Sequence, residues 1–287
     1  MSNYDPKSMQ AGAFISNEEI LETLAEARTG LDLQLPGLLT IPAGDGFPLP
    51  ARITWPRAVD KARRHPVIFS VYGGPGAPCV LDQWGGWDLL CQQLLVAEGY
   101  IVVAVDNRSS AAIGRKFEAA IRGRLYGDVE LNDLADAVRW VKAQPWADPD
   151  RVGIWGWSGG GTYTLAALTR TREFKAGIAV APVTDWRYYD SVYTELAMKS
   201  PADNPEGYLA TSQVRTAKDL HGRLLLVHGS YDDNVHPQNS QAFIDALVQS
   251  GKLFEYMVYP MRQHSLSDDP ARIHLLRTMV DFWKRNL

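Results

Sequence analysis

Arg151-Val-Gly-Ile-Trp-Gly156-Trp157-Ser158-Gly159-Gly160-Gly161 reads as an apolar strand that breaks into glycines around one serine and continues into a segment of helical period. A serine hydroxyl is a poor nucleophile until it is exposed, aimed and paired with a base. A sharp strand-to-helix turn supplies the exposure by straining the serine backbone, and it needs small residues two before and two after the serine. Gly156 and Gly160 fill those places. By itself the pentapeptide is only moderately specific, because glycine-rich strand-helix turns also serve as plain turns or phosphate cradles. The strand before it and the helical period after it make Ser158 a candidate nucleophile.

Around this stretch the chain alternates strand and helix. Extended apolar runs are expected at Pro66 to Val71, Tyr100 to Val105, Ala176 to Ala181, Arg223 to Val227 and Leu253 to Tyr259, with a hairpin-like pair around Asp45-Gly46 that ends in Ala51 to Trp55. Leu131, Leu134, Ala135, Val138 and Val141 share one face of a helix opening at Asp128. Ile273, Leu276, Val280 and Trp283 do the same near the C-terminus, and Ala242, Phe243, Ala246 and Leu247 mark another helix stopped at Gly251. The pattern predicts an α/β-hydrolase fold, a mostly parallel sheet of about eight strands flanked by helices. Residues 36–287 form the catalytic domain in this reading. Residues 1–35 form an arm whose helix opens on the Ser16/Glu19 capping box and stops at Gly30.

That fold predicts where the serine's partners lie, since acid and histidine follow it in that order on loops after late strands. After Val227 comes His228-Gly-Ser-Tyr-Asp232-Asp233-Asn234, and after Tyr259 comes Pro260-Met-Arg-Gln-His264. His264 fits the base, since an imidazole can take a proton from the serine and return it to a leaving amine. Asp232 and Asp233 both fit the acid by spacing. His65, His221, His236 and His274 fall away from the expected positions, and His228, at a strand end, reads as a hydrogen-bonded core histidine.

Composition narrows the rest. The 287 residues are 46% hydrophobic and 22% charged, enough for one large core. A formal charge of -4 with scattered Lys and Arg gives no footprint for nucleic acid. The N-terminus lacks a basic segment followed by an apolar one, and no run approaches the roughly 18 apolar residues of a membrane span. As written the chain is expected to be cytoplasmic, with no membrane partner; a periplasmic or extracellular place follows if it is a piece of a longer chain. Cys79 and Cys91 are expected as free thiols, and neither a metal nor a cofactor is expected.

Val71-Tyr72-Gly73-Gly74-Pro75-Gly76, Gly156-Trp157-Ser158, the tyrosine-rich run from Ala181 to Glu195 and Asp232-Asp233-Asn234-Val235-His236 together resemble the prolyl oligopeptidase family, in its dipeptidyl peptidase IV branch. The resemblance implies that Asp232 is the acid. It implies that the Tyr72 hydroxyl and the Gly159 N–H hold the oxyanion, and that Val183, Trp186, Tyr189, Tyr193 and Val235 wall a proline pocket, with Asn234 on a substrate carbonyl. Gly159 stands where many relatives have tyrosine, so one aromatic contact near the pocket is expected to be lost. Relatives also carry a β-propeller that grips the substrate's amino terminus, so strict dipeptide release is not implied by these residues.

The expected function is therefore a serine peptidase acting after proline through an acyl-enzyme on Ser158, with a proline-containing peptide as substrate. A broad carboxylesterase with the same triad and an inactive binding module are the alternatives. Pairing into a homodimer through the tail helix, around Trp283, is an expectation by analogy alone.

Overall fold

A computed structural model describes residues 33–83 and 85–287, so the helix expected between Ser16 and Gly30 lies outside the described residues. Leu35–Leu287 form one compact unit. Its chain opens with strands β1 (Gly37–Pro42) and β2 (Pro48–Thr54), an antiparallel hairpin. Gly46 turns it with a φ of 82°, and Asp45 Oδ1 accepts the Phe47 N–H at 3.1 Å. The strands β3 (His65–Ser70), β4 (Ile101–Val105), β5 (Ala147–Trp157), β6 (Ala176–Val180), β7 (Arg223–Gly229) and β8 (Glu255–Tyr259) follow. They complete an 8-stranded sheet in the order β1-β2-β4-β3-β5-β6-β7-β8, parallel from β4 onward, as an α/β-hydrolase fold requires.

The central strands of the sheet are buried on both faces, and their side chains alternate between two cores with the period of a strand. Val67, Phe69, Val152, Ile154, Leu224 and Leu226 point to one core; Ile68, Trp155, Leu225 and Val227 point to the other. Helices α1 (Gly86–Ala97), α2 (Asp128–Lys142), α3 (Gly159–Arg170), α4 (Ser191–Met198), α5 (Gln238–Gln249) and α6 (Asp269–Asn286) connect and cover it. Leu131, Leu134 and Val138 of α2, Leu165 of α3 and Phe243 of α5 close the first core. Leu95 of α1 and Leu275, Met279, Phe282 and Trp283 of α6 close the second.

The tail helix corrects the sequence reading. Its buried face is Ala271, Leu275, Met279, Phe282 and Trp283, while Ile273 is 50% exposed. The helix carries apolar residues at helical spacing on two faces, and periodicity alone cannot rank them. Trp283, expected to offer a pairing surface, is instead fully buried beneath β5. A Cβ at Gly153 would lie 2.7 Å from its ring, so that glycine makes room for the indole.

β3 sits between β4 and β5, so successive connections leave it in opposite directions and open a crevice at its carboxyl end. The Val71 N–H donates to the Trp155 carbonyl at 3.0 Å, which keeps the segment after β3 alongside β5 as both leave the sheet.

Phe282 is fully buried. Phe282→Ala is expected to cost about 3–5 kcal/mol of unfolding free energy, read as a lowered urea midpoint, whereas Ile273→Ala should move it by less than about 1 kcal/mol.

Candidate active site

β5 ends at Trp157 and α3 begins at Gly159, which leaves Ser158 at the junction with φ of 57° and ψ of -118°. A side chain with a Cβ rarely adopts positive φ, so the conformation must be held from outside. The Ser158 N–H donates to the Val180 carbonyl at 2.8 Å, and its carbonyl accepts the Thr162 N–H at 3.0 Å. The glycines around it are a steric necessity. A Cβ at Gly156 would stand 2.4 Å from the Gly160 backbone, and one at Gly160 would stand 2.1 Å from the Val71 carbonyl oxygen.

The loops after β7 and β8 bring Asp232 and His264 together: Nδ1 of the imidazole lies 2.7 Å from Oδ2 of the carboxylate. Asp233, equivalent by spacing, is exposed and takes only the Gln263 side-chain amide at 3.3 Å. The Asp232 side chain is 0% exposed, and its Oδ1 accepts the N–H groups of Asn234 at 3.0 Å and Val235 at 2.8 Å. His228 contributes what the sequence does not suggest. Its Nε2 is 2.8 Å from the Val235 carbonyl and 3.2 Å from Asp232 Oδ2; both neighbours are acceptors, so Nε2 carries the hydrogen and Nδ1 accepts from Ser240 Oγ at 2.7 Å. Burial pushes the Asp232 carboxyl up, but the hydrogen bonds from His228 and His264, the charge of His264 and the Asn234 amide together hold it well below its ordinary value.

Trp157 ties the elbow to the base, its indole Nε1 donating to the His264 carbonyl at 2.9 Å. The Tyr72 ring lies beside the elbow, with Cε2 at 3.6 Å from the place a Cβ on Gly159 would take. Burial raises the Tyr72 phenol above its usual range, so it stays protonated and can donate. As the first residue of α3, Gly159 has an N–H with no partner inside the helix. The turn after Tyr72 is pinned by Asn107, whose Nδ2 donates to the Gly73 carbonyl at 3.1 Å.

The aromatic residues of the tyrosine-rich run lie against one another. Trp186 meets Tyr189 edge-on and Tyr193 at a tilt, both with centroids 6.1 Å apart, and Tyr189 meets Tyr193 at 5.7 Å. Asn234 Oδ1 accepts the Tyr189 hydroxyl at 3.0 Å. Val183 is buried and fixed to α3, its N–H and carbonyl both bonded to Thr162 Oγ1, at 2.9 Å and 2.8 Å. Val235 is fully buried, with its amide on Asp232. An aromatic residue the sequence does not suggest stands beside Gly159: Tyr126, from the turn before α2, brings its hydroxyl to 2.2 Å from where a Cβ on Gly159 would stand and stacks on Trp186 with centroids 5.9 Å apart. Among the described residues no cluster of three or more His, Cys, Asp or Glu could hold a metal, and Cys79 and Cys91 are free.

Comparison with known proteins gives this geometry a context. The model of the prolyl oligopeptidase family matches residues 88–287. A protein of Paracoccidioides lutzii named probable dipeptidyl-aminopeptidase B is 44% identical over 227 residues, which cover 77% of this chain and 24% of that protein. One of the same name from Coccidioides posadasii is 41% identical over 267 residues, 88% of this chain and 28% of its own. The crystal structure of Porphyromonas gingivalis dipeptidyl peptidase 4 superposes with a TM-score of 0.87 at 38% identity, over 92% of this chain and 37% of that one. The chain thus spans about a quarter of the length of the curated relatives it matches.

A carboxyl whose folded value is depressed contributes stability above its ordinary value of 3.8, and loses it as pH falls through the folded value. The stability gap between the wild-type protein and Asp232→Asn is therefore expected to narrow steadily below about pH 4, as measured by urea unfolding across a pH series. A gap that stays constant down to acid unfolding would mean the carboxylate is not held by these partners.

Proposed function

The chain belongs to the prolyl oligopeptidase family, and on that footing we propose that it is a serine peptidase domain that cuts peptides on the carboxyl side of proline. The observation that carries the reading is the 2.7 Å contact between His264 Nδ1 and Asp232 Oδ2, on loops beyond the strands that follow the strained Ser158. With Nδ1–H donated to the carboxylate, the ring's other nitrogen is left as a base. It takes the proton from Ser158 Oγ as that oxygen attacks the scissile carbonyl. Negative charge then develops on the carbonyl oxygen, where the Gly159 N–H and the Tyr72 hydroxyl stabilise it. The imidazolium, steadied by Asp232, returns the proton to the leaving amine. Water activated by His264 then hydrolyses the acyl-enzyme.

The proline preference is supported by the aromatic cluster. Trp186, Tyr189 and Tyr193 present ring faces and edges, which bury a flat apolar ring without asking it for hydrogen bonds. The substrate is accordingly a proline-containing peptide with a carbonyl in reach of Asn234.

Ser158→Ala is expected to abolish hydrolysis of a proline anilide, and Tyr72→Phe to lower kcat by about 10²–10³ with a smaller change in KM. Short-chain nitrophenyl ester turnover with no preference for proline anilides would replace the peptidase reading by that of a carboxylesterase. A folded protein whose Ser158 fails to react with a fluorophosphonate would remove both.

A further inference from the structure

Tyr126 is 1% exposed and its hydroxyl has no hydrogen-bond partner among the described residues, an arrangement that ordinarily costs stability. It ends at a crowded point. Oη lies 2.2 Å from where a Cβ on Gly159 would stand and 3.4 Å from where one on Gly74 would stand, so it is wedged between the two backbones that flank the Tyr72 ring. The ring lies within 10° of parallel to Trp186, and its other neighbour is Tyr163, with centroids 5.5 Å apart. Its direction is set from the main chain. Tyr126 has a φ of 53°, its N–H donates to Glu130 Oε1 at 2.7 Å, and its carbonyl accepts from Arg170 Nη1 at 3.1 Å.

Gly159 is a helical residue and is absent from the glycines of positive φ, so its backbone makes no demand for glycine. The demand is for space, and the atom that claims the space is Tyr126 Oη. From these contacts we infer that Tyr126 is a specificity-determining residue of the acyl pocket: its hydroxyl end fills the volume into which a side chain at 159 would grow, its ring backs Trp186, and the two residues together limit the pocket to a small, flat acyl-side residue. The inference rests on the acyl pocket of the proposed function. It makes residues 126 and 159 a complementary pair, large on one side only because the other is empty. It also predicts which atom matters, since after the hydroxyl the next Tyr126 atom is Cζ at 3.2 Å from the Cβ position.

The test is a double-mutant cycle read with anilides that differ only in the acyl-side residue, proline or leucine. Tyr126→Ala deepens the pocket and is expected to lower the proline-over-leucine ratio of kcat/KM by about tenfold or more. Gly159→Ala in the presence of Tyr126 should lose about 100-fold in kcat/KM, and the Y126F/G159A pair should recover at least about tenfold of it, a non-additivity that distant sites do not show. Melting temperatures of the wild type, the Tyr126→Phe and Gly159→Ala single variants and their combination report the steric half of the pair independently of turnover, with Gly159→Ala milder in the Tyr126→Phe background. An unchanged substrate ratio in Tyr126→Ala, or an equal penalty for Gly159→Ala in both backgrounds, overturns the inference. A wild-type protein unreactive at Ser158 would instead overturn the proposed function, and fluorophosphonate labelling separates the two failures.

Discussion

Between Gly160 and the carbonyl oxygen of Val71 there is no room for one methyl group: a Cβ would come to 2.1 Å. This backbone-on-backbone contact presses the start of α3 against the end of β3 and leaves the residue between β5 and α3 no relaxed conformation. A non-glycine residue held there costs roughly 1–3 kcal/mol, which the surrounding sheet and the hydrogen bonds to Val180 and Thr162 offset. The same contact sets Tyr72 beside Ser158, since Val71 is shared. Ser158 and Tyr72 are thus positioned by one packing contact, between the start of α3 and the segment that leaves β3.

Asp232 and His264 answer to a second constraint, the cost of burying a charge. A carboxylate with a side chain 0% exposed persists only if its lone pairs are filled, and Asp232 receives two backbone amides and two imidazoles. His228 therefore supports His264 at one remove: it helps keep Asp232 ionised, and Asp232 in turn orients the His264 ring. Trp157 adds a tie between the strand before Ser158 and the loop that carries His264.

Ser158 and His264 are legible in the sequence because their chemistry needs a residue type at a topological place, and strand periodicity locates the place. Asp232 requires more, because Asp233 satisfies the same spacing; a resemblance prefers the first, and burial of that side chain agrees. Tyr126 is not legible at all. Its relation to Gly159 is a contact between residues far apart along the chain, made by a side chain in a turn with positive φ, and no periodic or compositional signal marks such a meeting. The role of His228 is half legible: the strand end marks a core histidine, but nothing in the sequence shows its hydrogen turned to the acid. The face of α6 misleads for a different reason, since two apolar faces compete and only the distance to the sheet decides between them.

The order of parts along the chain also bears on time. During synthesis Ser158 leaves the ribosome before Asp232, which follows β7, and His264 emerges only after β8, with the Trp283 that seats against Gly153 later still. A chain paused before His264 carries Asp232 without the imidazole it holds, and one paused before Trp283 carries a β5 with no indole against Gly153. On the proposed function, Ser158 and His264 cannot meet until the loop after β8 has emerged, so strand order alone delays hydrolysis until the domain is nearly complete.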